Sequence, residues 1–206
     1  MFVRHGETVW NREERLQGRK DVRLSELGKK QAGLLAKRFQ KEKIDVIYSS
    51  DLRRALETAE TIAKYHPKTP IRVRKELSER SHGIIEGLTL EEIKAEPELR
   101  KLLDWEKMKT KEFKFPKGES KAALEERVEE FLDELVHKHP RACLLLVCHG
   151  GAAKAALKFL LKEENRDFSD LILENASVTI VSLEKGKARL GLLNDISHLQ
   201  RGSQNP

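Results

Sequence analysis

Ala142-Cys143-Leu144-Leu145-Leu146-Val147-Cys148-His149-Gly150-Gly151 is the stretch on which the fold turns. Its first seven residues are nearly all apolar, the pattern of a central parallel strand covered on both faces. His149 and two glycines end the run, and Ala152, Ala156, Phe159 and Leu160 continue at helical spacing. A buried strand that passes directly into a helix is a building block of an α/β protein.

Working outward, Ile44-Asp45-Val46-Ile47-Tyr48-Ser49 reads as a second strand, Ile71-Arg72-Val73 as a third, and the run before Arg4 as a short first one. Leu24-Ser25-Glu26-Leu27-Gly28 opens a helix with Ser25 as N-cap, and Ala32, Leu35 and Phe39 carry its stripe. Asp51 is the expected cap of the next helix, with an inner face of Leu52, Ala55, Leu56, Ala59, Ile62 and Ala63. Arg53 and Arg54 both lie off that apolar face. Thr89-Leu90-Glu91-Glu92 is a capping-box start, and a second short helix is expected from Glu98 to about Lys107. Ser120 begins the longest helix, on Leu124, Val128, Phe131, Leu132 and Leu135. Val178–Leu183 and Ala188–Leu193 close the chain as a strand pair around Lys185-Gly186, and the tail 199–206 is expected to be disordered. Strand and helix alternate, which predicts an α/β fold with a mostly parallel sheet. Residues from about 76 to 118 read as an insertion capping the sheet's edge.

Composition narrows the function classes. At 206 residues, 38% apolar and 36% charged, the chain can build one domain with an ample core. Its net charge of +6 comes from interspersed signs, which argues against a nucleic-acid stripe. No apolar run approaches the ~18 residues of a membrane span. Cys143 and Cys148 point to opposite strand faces, cannot pair, and read as free thiols of a reducing cytoplasm. Scarce Cys and Met among abundant Lys, Arg and Glu hint at a thermophilic source.

Three strands end in polar residues: Arg4-His5-Gly6, Ser49-Ser50-Asp51 with Arg53 and Arg54 just beyond, and His149-Gly150-Gly151. Ligands of open α/β sheets bind outside the carboxyl ends of the strands. If these strands are neighbours, two histidines and arginine converge beside a helix N-terminus suited to an anion. That set fits phosphoryl transfer. Arg pairs bidentately with phosphate oxygens, and a neutral imidazole can attack phosphorus and carry the phosphoryl group. A carboxylic acid must protonate the leaving oxygen, and Glu79 and Glu86 are the candidates. Each signal alone has a plainer reading as packing or solvated surface. His137 and His139, spaced like a metal pair, have no supporting carboxylate or Cys cluster and read as surface residues.

These pieces, with Thr8-Val9-Trp10-Asn11, Leu77-Ser78-Glu79-Arg80, Glu86-Gly87 and Gly118-Glu119-Ser120, resemble the histidine phosphatase superfamily of phosphoglycerate mutase-like fold. The resemblance runs in order over residues 1–198 and implies a single three-layer α/β/α domain with a small helical and loop cap. It implies His5 as the phosphohistidine, with Arg4, Arg54 and His149 holding phosphoryl oxygens. It favours Glu79 over Glu86 as acid, makes Asn11 and the Gly150 backbone secondary phosphate contacts, and calls for no metal or organic cofactor. The mutase branch carries a longer insertion with paired arginines. Here Arg100-Lys101 is the nearest basic pair, so a phosphatase releasing inorganic phosphate is expected. A cofactor-dependent phosphoglycerate mutase and a non-catalytic phospho-ligand module are the alternatives. The cap cations Arg100, Lys101, Lys107, Lys109, Lys111, Lys114 and Lys117, among Trp105, Phe113 and Phe115, suggest a small anionic phosphomonoester with an apolar body. The oligomeric state is left open, a homodimer included.

Overall fold

Short strands buried on both faces build the centre of the molecule. A computed structural model describes every residue except 165, 169, 185 and 201–206. The strands are β1 Phe2–Arg4, β2 Val46–Ser49, β3 Ile71–Val73, β4 Leu144–Cys148, β5 Val178–Glu184 and β6 Lys187–Asp195, in the order β3-β2-β4-β1-β5-β6. The first four in that order are mutually parallel, and β5 and β6 are antiparallel additions.

The helices are α1 Val9–Arg12, α2 Glu26–Phe39, α3 Arg53–Ala63, α4 Leu90–Ala95, α5 Pro97–Arg100, α6 Trp105–Lys109, α7 Lys121–Lys138, α8 Gly150–Leu160 and α9 Ser197–Gln200. Strand side chains alternate between faces. Phe2, Tyr48, Leu146 and Cys148 share a core with Leu124, Val128 and Phe131 of α7 and with the alanines of α8. On the opposite face Val3, Ile47, Leu145 and Val147 pack on Leu35 and Phe39 of α2 and on Ala55, Ala59 and Ile62 of α3. The result is a three-layer α/β/α sandwich.

The short β1 is held from both sides. It pairs with β4 through Phe2–Leu146 and Arg4–Cys148 and with β5 through Val3–Val178, and the Met1 amino group donates to Leu144 O (2.8 Å). The turn after it fits only because of two glycines. A Cβ on Gly6 would meet Gly28 O at 2.6 Å, and one on Gly28 would meet Glu7 O at 1.9 Å. The His5-Gly6 turn therefore sits directly on the start of α2, where Ser25 caps Gly28 N–H (3.0 Å) and its hydroxyl donates to Glu7 (2.7 Å).

Several elements depart from the sequence expectation. Asp51 does not cap α3; its carboxylate accepts from the Ser78 hydroxyl, and the Arg53 N–H is taken by Asp21 from a distant loop (2.8 Å). The helix expected over 98–107 is two helices, because Asp104 caps a fresh start at Trp105 by accepting from Lys107 N–H (3.1 Å). His139 is not free at the surface, since its ring bonds the buried Tyr48 hydroxyl (3.0 Å). Toward the C-terminus the chain continues as α9 against α2; Lys185 of the β5–β6 turn and residues 201–206 of the expected tail lie outside the described residues. Within the segment 76–118, Ile85, Ile93 and Phe115 form a small core of their own, joined by Leu16.

An acceptor supplied from another loop makes a testable cap. Asp21→Ala is expected to lower the unfolding free energy by about 1 kcal/mol in urea titrations, and Asp21→Asn, which keeps an oxygen, by less. Equal losses would remove the capping explanation.

Candidate active site

Strand order decides the geometry. β2, β4 and β1 are adjacent and parallel, so their carboxyl ends open side by side. The backbone locks them in step: His5 N–H donates to Cys148 O (3.0 Å) and Ser50 N–H to Val147 O (3.0 Å). Ala176 N–H (3.0 Å) and Asn175 Nδ2 (3.1 Å) hold the His5 carbonyl from the other side.

Arg54 organises the side chains. It is 1% exposed, and its Nε–H is shared between His5 Nε2 and His149 Nδ1, each at 3.2 Å. An arginine can only donate, so both nitrogens must be acceptors. The His5 proton is therefore on Nδ1, which donates to Gly6 O (2.7 Å), and the His149 proton is on Nε2, which donates to Ser50 Oγ (2.9 Å). Both rings are neutral, and the His5 lone pair lies on Nε2. Arg54 is itself fixed by Nη1 on Lys20 O and Nη2 on Gly18 O, each at 2.8 Å.

Electrostatics agree with these tautomers. Burial, then the Arg54 and Arg4 charges, hold His5 well below its ordinary 6.5, against an opposing pull from Gly6 O. Burial, followed by Arg54, His5 and Arg4, does the same to His149. Burial lowers Arg54 to about 10, which leaves it cationic at neutral pH. Arg4 donates through Nη1 to Leu173 O, while its Nε is buried with no partner among the described residues. An orphaned cationic donor at this position fits an anion.

Glu79 closes the other side. Its Oε2 accepts from Gly151 N–H at the start of α8 (3.0 Å) and its Oε1 from Arg80 N–H (2.8 Å). Glu86 is occupied differently: one carboxylate oxygen accepts from Arg19 N–H (3.1 Å), Ser81 Oγ (3.0 Å) and His82 N–H (2.8 Å). It therefore ties two loops together. Asn11 Oδ1 accepts from Thr8 N–H (3.1 Å) in the capping box of α1, with Asn175 Nδ2 nearby at 3.4 Å. A cleft of about 460 Å³ runs outward from Arg4, Glu79 and Gly150 between α7, α8 and the side chains of Asp167, Phe168 and Leu171.

The structure thus brings His5, Arg54 and His149 into direct contact, with Arg4, Glu79 and Gly150 on the adjoining cleft. The burial of Arg54 was hidden from a face count made on apolar residues, because Arg54, Thr58 and Ile62 form one buried row four residues apart. Ser50, Arg80 and His82 were missed as site residues. The serine carried a signal, since it follows a buried strand at the shared pocket end. Of the cap cations, Lys109 and Lys111 line the cleft; Lys101 and Lys107 instead pair with Glu98 and Asp104. Among the described residues no three His, Cys, Asp or Glu side chains converge as metal ligands do, and no helix is long and apolar enough to cross a membrane.

With this geometry, the comparisons with known proteins are specific. The chain belongs to the histidine phosphatase superfamily (branch 1), whose profile matches residues 1–196. It is 36% identical to phosphoglycerate mutase-like protein 4 of Arabidopsis thaliana, over 97% of this chain and 86% of that one. It is 34% identical to phosphoserine phosphatase 1 of Hydrogenobacter thermophilus, over 97% and 93% of the two chains. Among solved structures, a mycobacterial glucosyl-3-phosphoglycerate phosphatase superposes with a TM-score of 0.80 at 31% identity, covering 94% of this chain and 97% of that one.

Buried neutral imidazoles leave a thermodynamic signature. Their proton affinity is lower in the folded state, so the stability they contribute is full above the ordinary value of 6.5 and is lost as pH falls below it. In carbon-labelled histidine NMR, the His5 and His149 rings are expected to stay neutral through pH 6.5. Unfolding free energy should decline below that pH. Titration of either ring near the free-histidine value would overturn the assignment.

Proposed function

We propose that the protein is a phosphomonoester hydrolase that works through a phosphohistidine on His5. The observation that carries this reading is the His5 Nε2 lone pair, kept unprotonated by its bond from Arg54, with its chain neighbour Arg4 and with Glu79 lining the adjoining cleft. The phosphatase names of its relatives support hydrolysis of small phosphorylated compounds with inorganic phosphate as product.

In the first step the Nε2 lone pair forms an N–P bond while the ester P–O bond breaks, and the leaving oxygen takes a proton from Glu79. Arg54 Nε–H passes from the imidazole to a phosphoryl oxygen. The Arg4 Nε–H and the Gly150 N–H at the start of α8 donate further, with Asn11 at the margin. The His149 ring, once Arg54 has left it, joins them by carrying its proton on Nδ1 while Nε2 accepts from the Ser50 hydroxyl. In the second step water attacks phosphorus, the Glu79 carboxylate takes its proton, and the N–P electron pair returns to His5. Arg4 and Arg54 supply the positive charge that a metal ion supplies in other phosphoryl transfers.

One relative is named as mutase-like, so interconversion of phosphoglycerates is the second reading. Hydrolysis is preferred because Arg100 is exposed and Lys101 pairs with Glu98 on the outer face of α5, which leaves no arginine pair from this segment on the cleft. Two free thiols, one exposed, fit a reducing cytoplasm.

His5→Ala is expected to cut turnover by about three orders of magnitude or more and to abolish an acid-labile phosphoenzyme seen by mass spectrometry after rapid quenching. Wild-type turnover in that variant would exclude nucleophilic His5. Phosphoglycerate interconversion faster than phosphate release would favour the mutase.

A further inference from the structure

The outer cleft holds more positive charge than a single phosphate needs. Lys121 is the first residue of α7, and Lys154 lies on α8 facing the same space as Arg80. Neither helix has an acidic residue in its first turn. A cation in the first turn opposes the helix dipole, so the placement of Lys121 costs stability unless an anion offsets it. Along the same cleft Lys109 pairs with Glu106, and Lys111 and Lys158 share Glu125. Lys121 has no carboxylate within 4.0 Å, and the Arg80 guanidinium donates to no acceptor, among the described residues. Burial lowers the Lys154 ammonium, with Lys121 and Arg80 adding to the effect and Glu79 and Asp170 opposing it, so both cations act on Lys154 across the cleft that all three line. Beside them the wall is apolar, through Leu124, Phe168 and Leu171.

We infer that Lys121, Lys154 and Arg80 form a subsite for a second anionic group, a carboxylate or another phosphate, at the far end of the substrate. This rests on the phosphomonoesterase reading. It assigns selection to Lys121 and Lys154 of the core helices α7 and α8 together with Arg80, whereas Lys101, Lys107 and Lys109 pair with acids of their own segment.

An alkyl phosphate, its ω-carboxylate analogue and its ω-phosphate analogue of equal length share one leaving group and test this directly. Wild type is expected to prefer one or both charged analogues by about tenfold or more in kcat/KM, the size of one or two charge-assisted bonds. The better analogue identifies the anion. Lys121→Met and Lys154→Met should each reduce that preference mainly through KM, and Lys→Arg variants should retain it. Indifference of wild type to the second anion, or equal losses on all three substrates, would overturn the subsite. Failure of wild type to hydrolyse even an aryl phosphate would instead sink the parent reading.

A separate set of contacts identifies a positioning residue. Arg127 of α7 donates through Nη1 to Glu76 O (2.6 Å) and through Nη2 to Ser78 O (2.8 Å) and Glu79 O (3.3 Å). Its Nε and Nη2 also bond both oxygens of Glu119 (2.8 and 3.0 Å), and Arg19 reaches Glu119 (3.0 Å) and Glu79 O (3.3 Å). Burial pushes the Glu119 carboxyl up, but Arg127 and Arg19 hold it below its ordinary value. The geometry points to Arg127 as the residue that aims the Glu79 carboxyl. Arg127→Met should therefore weaken leaving-group protonation, lowering kcat/KM about tenfold more for alkyl than for nitrophenyl phosphate. In a Glu79→Gln background it should add little to that difference. Equal losses for both leaving groups would reduce Arg127 to a structural role; Glu119→Gln, a milder change, should show the same selectivity in a well-folded variant.

Discussion

One N–H group, that of Arg54 Nε, sets the state of both histidines. Because it can only donate, it fixes the tautomer of His5 and His149 together, and each ring must find its second bond elsewhere. Gly6 O and Ser50 Oγ provide those bonds. The fork of Arg54 is tied to the carbonyls of Gly18 and Lys20, so the donor cannot swing away. On the proposed reading, a phosphoryl group bound here would meet donors already aimed, which is where electrostatic preorganisation gains its effect.

That constraint depends on the sheet order. His5, Ser50 and His149 follow three different strands, and only adjacency of β1, β4 and β2 in parallel register puts them side by side. The Gly6–Gly28 approach then fixes the depth of the first loop against α2, since a side chain at either glycine would strike backbone. Helix α8 begins immediately after His149, so the strand that supplies the ring also delivers the N–H groups of Gly150 and Gly151. Glu79 occupies the second of these (3.0 Å) and thereby meets the phosphate pocket edge-on.

Much of this was legible in the sequence because it is local. Apolar runs, capping residues and strand-terminal polar residues marked the α/β layers and the three converging ends, and the motif resemblance selected Arg54 and Glu79 from their neighbours. What was not legible arises from pairs far apart in the chain. Asp21 caps α3 over thirty residues away in sequence, a bond no local pattern encodes. Burial of Arg54 followed from polar partners on another loop, which hydrophobic periodicity does not score. Among the cap lysines, Lys101, Lys107 and Lys109 pair with acids three residues away, a spacing the sequence does show, while Lys121 and Lys154 come from two helices that meet only in the folded chain.

The same charges explain why such a site is costly to build. Burying a guanidinium is unfavourable, and Arg54 accordingly falls to about 10 while remaining charged. Its carbonyl partners satisfy its hydrogens without neutralising it, so the positive potential remains available to the substrate. Had Arg54 been paired with a buried carboxylate, as isolated buried arginines commonly are, that potential would be cancelled and the imidazoles would be more easily protonated. The choice of carbonyls over carboxylates thus links three properties: an imidazole free of its proton, a pocket that keeps its positive potential, and a folded state that weakens when its histidines must charge.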